Sequence, residues 1–260
     1  MSRPKSPVSL FAFVVTIVFF YAPLLVLIFF SFNASRTMAW SGFSLHWYGE
    51  LLFHSRDLWH ALGNSVFIAL TSSVTATALG TLGAIGMYWY NFRFKRYLGI
   101  VSFLPLILPE IIMGVSLLIL FAAVGLPLSL LTIFIAHVTF NLPFVILIVS
   151  SRLDEFDYSV IEAARDLGAR EWDTLTRVVI PISLPGITAA FLIAVTLSLE
   201  DFVITFFVAG PGSTTLPLQI YSMIRFGVSP VINALSVMLL AASIGLAFMS
   251  KGVYRYLFQR

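Results

Sequence analysis

Glu110, Glu200 and Asp201 are the residues best placed to do chemistry in this sequence, because each is a carboxylate set against long uncharged stretches. A charge at bilayer depth costs about 2.5–3.5 kcal/mol or more, so such groups face a cavity or a partner. Three tasks account for them: binding a cation, relaying a proton, or capping a helix end. No lysine or arginine lies in the same stretches, and Arg225, just beyond the fifth of them, is the nearest candidate. Three uncompensated acids favour a cation path over a structural role. Ser116 and His137 offer another chemistry, since a buried hydrolase needs a nucleophile and a base within reach. However, Gly114-Val115-Ser116-Leu117-Leu118 is not the G-x-S-x-G turn. The chain has 0 cysteines, which excludes disulfides, zinc knuckles and thiol catalysis.

The elements that must hold these acids follow from composition. Of 260 residues, 59% are apolar and 10% charged, with mean hydropathy +0.98. Soluble domains carry about 25% charged residues. Disorder, nucleic-acid binding and an ordinary cytosolic enzyme are excluded, and an all-α polytopic membrane protein remains. Charge-free runs extend from Lys5 to Arg36, Asp57 to Arg93, Glu110 to Arg152, Arg177 to Glu200 and Arg225 to Lys251. The third is too long for one span, and Gly125-Leu126-Pro127 divides it. The pattern predicts six spans over about 8–31, 63–89, 98–122, 129–150, 186–209 and 231–254, in one membrane domain covering 1–260. The first is too long for a cleaved signal peptide and is read as retained. With both termini inside, the inner segments hold Arg3, Lys5, Arg93, Lys95, Arg96, Arg152, Arg165, Arg170, Arg177, Lys251, Arg255 and Arg260. The outer segments hold Arg36, Arg56 and Arg225, and this imbalance fixes the orientation. Glu110 then lies 12 residues into the third span, roughly 18 Å deep at 1.5 Å per residue. Glu200 lies 14 residues into the fifth, roughly 21 Å from the same face. The two carboxylates are therefore expected at one level. Pro105 and Pro109 permit a kink before Glu110, and Gly114 permits close helix approach.

The inner loop, 151–185, concentrates seven of the twelve acidic residues and four basic ones. Ser159-Val160-Ile161-Glu162 fits a capping box with Ser159 at the N-cap and Glu162 at N3, and Gly168 fits a helix C-terminus. A second helix is expected over about 170–179, ending before Pro181, with Trp172, Leu175 and Val179 on one ridge. Glu162-Ala163-Ala164, Gly168, Val178 and Ile180-Pro181 stand at the spacing of the EAA loop and resemble that loop in permease subunits of ATP-binding cassette importers. Val178 and Ile180 replace the usual Ile and Leu. The resemblance implies that the Glu162 helix docks into a cleft on a separate ATPase subunit, with Ala163, Ala164, Gly168 and Pro181 shaping the contact.

The three lysines, Lys5, Lys95 and Lys251, do not complete a G-x-x-x-x-G-K-[ST] loop. The chain is therefore expected to be a transport subunit and not an enzyme, with ATP and Mg bound by partner ATPases. Ser198-Leu199-Glu200-Asp201-Phe202, Gly210-Pro211-Gly212, Leu216-Pro217, Ile220-Tyr221-Ser222, Gly227, Pro230, Asn233-Ala234, Ser31-Phe32-Asn33 and Trp47-Tyr48 resemble the permeases of spermidine/putrescine importers, most closely their second permease subunit. That family usually has Asp-Asp where Glu200-Asp201 stand, and often Asp in place of Glu110. The resemblance implies that Glu110, Glu200 and Asp201 contact substrate ammonium groups, with Ser198, Trp47 and Tyr21 assisting. An aromatic face beside an ammonium adds about 0.5–2 kcal/mol. Trp40, Trp47, Tyr48 and Trp59 in the outer loop, 32–62, and Tyr21 also fit an interfacial belt. The implied partners are a second permease, two cytoplasmic ATPase subunits and an external polyamine-binding protein, at a bacterial inner membrane. Iron or phosphonate is the alternative cargo. Buried acids argue against an anion, which calls for basic groups or helix N-termini.

Overall fold

The structure, a computed structural model, describes residues 7–37, 39–155, 157, 159–226 and 229–258. Arg3, Lys5, Gly227 and Arg260, used above, lie outside them. Twelve α-helices follow in order: α1 (Pro7–Ser31), α2 (His46–His54), α3 (Arg56–Trp89), α4 (Lys95–Ile107), α5 (Glu110–Ala123), α6 (Leu130–Asp154), α7 (Ser159–Asp166), α8 (Glu171–Thr174), α9 (Ile180–Glu200), α10 (Val203–Val208), α11 (Leu216–Phe226) and α12 (Pro230–Phe258). Among the described residues there is no strand, only an isolated bridge between Asn33 and Phe43. The chain forms two compact units, one of residues up to Leu58 and from Ile220 onward, the other of Trp59–Gln219.

In the first unit, α12 packs on α1 and α2. α1 exposes apolar side chains along its length, including Phe11, Phe19 and Leu25, as a helix solvated by lipid does. The segment after α1 is tied by Asn33. Its amide nitrogen donates to the carbonyls of Thr37 and Ala39 at 3.0 and 2.9 Å, and its side-chain oxygen accepts the Ser41 N–H at 2.9 Å.

In the second unit, α3, α6 and α9 share one apolar core, built on Ala76, Ala84, Val145, Val149, Ala190 and Ala194. Small residues on two of the three helices bring the backbones close. A second core joins Met113 and Phe121 of α5 to Ile204 and Val208 of α10, around Ile68, Ile133 and Phe140.

Among the described residues, four helices, Val8–Ser31, Arg56–Trp89, Leu130–Asp154 and Glu171–Glu200, are each long and apolar enough to cross a bilayer. The expected third span is not one helix. α4 and α5 meet at a 110° bend. The cause is Pro109, which pushes Leu108 out of the helical region (φ −74°, ψ 137°). The expected fifth span is also broken: α9 stops at Glu200, Asp201 is extended, and α10 begins at Val203. At its other end that span is longer than expected. Pro181 does not end the preceding helix, because α8 and α9 are joined by a π-helical turn, Leu175–Val179, in which the Ile180 N–H reaches back to the Leu175 carbonyl. The wide turn accommodates a proline that a regular α-turn would clash with. Glu171–Glu200 is thus one rod of 30 residues, about 45 Å long. The π turn also breaks the expected ridge: Trp172 is exposed while Val179 is in the core.

α7 differs at its start. Ser159 is the first helical residue, and Asp157 supplies the capping oxygen, accepting the Ser159 N–H at 3.0 Å. That donated hydrogen bond holds the Asp157 carboxyl below the usual aspartate range. The C-terminus is a Schellman motif: Ala169 N–H donates to the Ala164 carbonyl at 3.0 Å and Gly168 N–H to the Arg165 carbonyl at 2.9 Å. Gly168 has φ +83°, which a β-branched residue adopts only at a cost of about 1–2 kcal/mol. Gly168→Val is expected to fray this end of α7. Limited trypsinolysis at Arg165 and Arg170 measures it, and the variant should be cut several-fold faster.

Candidate functional site

Glu110 and Glu200 both stand at helix breaks. Pro109 caps α5, leaving Glu110 in its first turn, where a carboxylate is favoured by the helix dipole. Glu200 is the last residue of α9. α5 and α10 run in the same direction: Gly114 lies against Ile204 and Phe207, and further along Gly210 lies against the Leu128 carbonyl. A Cβ on Gly114 would come within 2.7 Å of the Phe207 ring, so the close approach depends on glycine. Glu110 precedes Gly114 by one turn of α5, and Glu200 stands immediately before the break that leads into α10. Both are exposed, and among the described residues neither enters an ion pair.

Asp201 is different. It is buried, with 8% of its surface exposed, and its oxygens are occupied. Oδ1 accepts the Ile204 N–H at 3.2 Å; Oδ2 accepts the Thr205 N–H at 2.9 Å and the Thr205 hydroxyl at 2.7 Å. Asp201 thus caps α10. His137 of α6 lies on its other side, with Nε2 at 3.2 Å from Oδ2. The basic group beside Asp201 is therefore His137. The ring is 1% exposed; its Nε2 is also 2.9 Å from Thr205 Oγ1, and its Nδ1 is 2.6 Å from Ser198 Oγ. Ser198 Oγ in turn lies 3.3 Å from Ser72 Oγ of α3.

The donors can be ordered. The Thr205 hydroxyl gives its proton to Asp201, so it accepts from His137. Nε2 faces that oxygen and a carboxylate, so it carries the proton. His137 Nδ1 and Ser198 Oγ share one further hydrogen bond, and Ser198 Oγ and Ser72 Oγ another. The result is a connected chain from α3 through α9 and α6 to the α9/α10 break. A buried carboxylate is tolerated only in such company.

Ser116 is not part of this cluster: it is exposed on α5, while both nitrogens of His137 are bonded elsewhere. Ser198, His137 and Asp201 have the order of a hydrolase triad. Yet Ser198 is buried with its oxygen between His137 and Ser72, so no carbonyl carbon can approach it.

The aromatic residues belong to the other unit. Trp47 is 5% exposed. Its indole N–H donates to the Asn33 carbonyl at 2.8 Å, and Tyr48 OH pairs with Ser31 Oγ at 2.8 Å. The Arg36 guanidinium stands 5.6 Å from the Trp47 ring centroid. Trp47 is thus buried in its own loop, with its N–H bonded and Arg36 beside its ring. Tyr21 is exposed on α1.

On the loop that resembles a coupling segment, Glu162, Ala163 and Gly168 are exposed and Ala164 is half-buried. Ile161 is buried with Val149, Leu153 and Val179. Leu167 and Trp172 are 89% and 72% exposed, so the outward face is apolar at its end and charged around it. Tyr90 OH donates to Glu171 Oε1 at 2.8 Å, joining the α3 end to the start of the long rod.

Residues 76–260 match the family model described as binding-protein-dependent transport system inner membrane component. The chain is 40% identical to the spermidine/putrescine transport system permease protein PotC of Escherichia coli (strain K12), over 91% of this chain and 90% of that one. It is 42% identical to the putrescine transport system permease protein PotI of the same strain, over 92% and 87%. A bacterial ABC transporter involved in importing the acidic polysaccharide alginate has a chain of the same fold, with TM-score 0.78, 14% identity and 96% of each chain covered.

Proposed function

The chain belongs to the binding-protein-dependent transport system inner membrane components, and from that premise we propose that it passes polyamines, putrescine or spermidine, into the cytoplasm. The observation that carries the cargo is that two exposed carboxylates, Glu110 and Glu200, each stand at the break of an interrupted helix and enter no ion pair among the described residues. Groups of that charge in a membrane segment call for a cation, and the cargo named for both relatives is a cation. The same charges disfavour a phosphonate.

In this reading the chain pairs with a second permease, and two cytoplasmic ATPase subunits bind ATP and Mg. An external binding protein delivers the polyamine to the outer loops. Both termini lie on the cytoplasmic side of the inner membrane, and six spans cross it, with α4/α5 and α9/α10 as the two interrupted ones. The Glu162 helix sits in the ATPase cleft. Its Ile161 packs on Val179 within the 171–200 rod, so a displacement of α7 moves the rod whose far end is Glu200. Glu110 and Glu200 take the ammonium groups directly, while Asp201 and Ser198 hold the break beside them.

The test is uptake of labelled putrescine and spermidine in cells whose sole candidate polyamine importer contains this chain. A hydrogen bond to a charged group contributes about 1.5–3 kcal/mol. Glu200→Gln is therefore expected to lower uptake per assembled complex by about 10–100-fold. Wild-type cells that take up neither polyamine would refute the cargo. Undiminished uptake in the variant would remove Glu200 from the path.

A further inference from the structure

We infer that His137 is a positioning residue: through Asp201 it fixes the break between α9 and α10, and so sets where Glu200 presents its carboxylate. This rests on the reading that Glu200 contacts the cargo. Three features of the cluster carry it.

First, His137 is a side chain from outside that joins the two pieces of the broken helix. Its Nδ1 meets Ser198 on α9 at 2.6 Å, and its Nε2 meets Thr205 on α10 at 2.9 Å and Asp201 between them at 3.2 Å. Ser198 and Asp201 flank Glu200 by two residues and one. Second, the cluster is buried: Ser198, His137 and Asp201 are 5%, 1% and 8% exposed. These bonds are made in a low-dielectric interior, where a partly satisfied network is costly and a complete one is rigid. Third, the break needs such a clamp. Asp201 is extended at φ −64°, ψ 121°, so the backbone there could turn α10 against the last turn of α9, which carries Glu200. With the histidine in place, both helical ends are referred to α6, which also holds α10 at its far end through the Thr132 hydroxyl on the Val208 carbonyl at 2.7 Å.

Linear polyamines are recognised by the distance between their charges. A fixed Glu200, set against Glu110 on α5, discriminates between them; a wandering one does not. His137 is thus a determinant of cargo length without touching cargo.

Two readouts test this. The chain has 0 cysteines, so a spin label on Glu200→Cys reports that position alone in an importer assembled, without cargo, with partner subunits whose own cysteines are replaced. In a His137→Phe background the label should become clearly more mobile, whereas His137→Gln, whose amide N–H reaches toward Asp201 as Nε2–H does, should restore the wild-type line shape. In uptake, with residue 200 native, His137→Phe should move the putrescine-to-spermidine rate ratio toward unity by about 10-fold, on the scale of a misplaced binding group, and His137→Gln should return it. A merely structural loss would lower both rates together and leave the ratio unmoved. Should His137→Phe not accumulate, His137→Asn, too short to reach Asp201, is read in the same way. An unchanged line shape in the phenylalanine or asparagine variant overturns the inference. So does an unchanged ratio. Absence of polyamine uptake in the wild type, with the label mobilised as expected, would refute the cargo and leave the positioning role standing.

Discussion

Replacing Glu162 by lysine is expected to leave the chain in the membrane and reduce uptake to background. The side chain is exposed, in the first turn of α7, and the α7 core contact is made by Ile161, not by Glu162. Folding therefore does not depend on it. Docking does. A carboxylate near a helix N-terminus is favoured by the dipole, and a lysine there reverses both that term and the charge offered to the ATPase cleft. Losing one partner of a desolvated charge contact costs about 2–5 kcal/mol, or at least ~30-fold in assembled complex. Membrane abundance should match the wild type, while co-purification of the ATPase and polyamine-stimulated ATP hydrolysis both collapse. Normal uptake in Glu162→Lys would mean that α7 is a solvated hairpin and that coupling runs elsewhere. Ile161→Ala is the instructive contrast: it removes the link between α7 and Val179, so the ATPase should still bind while hydrolysis runs without transport.

The helices of this fold are legible in the sequence because lipid leaves the backbone few alternatives. An uncharged run of sufficient length, between arginines and lysines, becomes a helix. Gly125 and Gly168 are legible for a similar reason, since a left-handed residue after a helix is most often glycine. The breaks are harder. Pro109 and Pro181 carry the same local signal, yet one bends the chain by 110° and the other is absorbed in a π turn. Around Pro181 the chain also packs into a core, where Ile161 and Val179 are both buried, and a single sequence does not display that packing. The three acids were legible as a group, but their division was not. Glu200 and Asp201 are neighbours in sequence, and the extended backbone at 201 sends them to opposite environments. His137 was visible as an ionisable residue in a charge-free span, which by itself marks it for a partner. Its distance from Asp201 along the chain hid which partner that was.

The separation of Glu200 from Asp201 predicts opposite phenotypes for two adjacent carboxylates. Asp201→Ala leaves the His137 ring, the Ile204 and Thr205 amides and the Thr205 hydroxyl without their acceptor. Each buried donor left without an acceptor costs about 1–3 kcal/mol, and together they are a large share of the stability of an ordinary domain. The variant should show a clear fall in the melting temperature of the detergent-solubilised protein and reduced abundance in the membrane. Glu200→Ala removes an exposed group that enters no ion pair among the described residues, so its thermal transition should stay at the wild-type value while uptake per complex falls. Asp201→Asn is the sharper probe, because it keeps the shape. One acceptor oxygen survives for the α10 amides, but the new NH2 must face either those amides or the histidine N–H, and donor then meets donor. Its stability should lie between wild type and Asp201→Ala, with much of the remaining loss recovered by His137→Gln, whose amide can turn its oxygen toward the new donor. Recovery by that pairing would tie the two residues energetically. A stable, fully abundant Asp201→Ala protein would show instead that the α9/α10 break holds without its cap, and Asp201 would return to the set of residues free to meet the cargo.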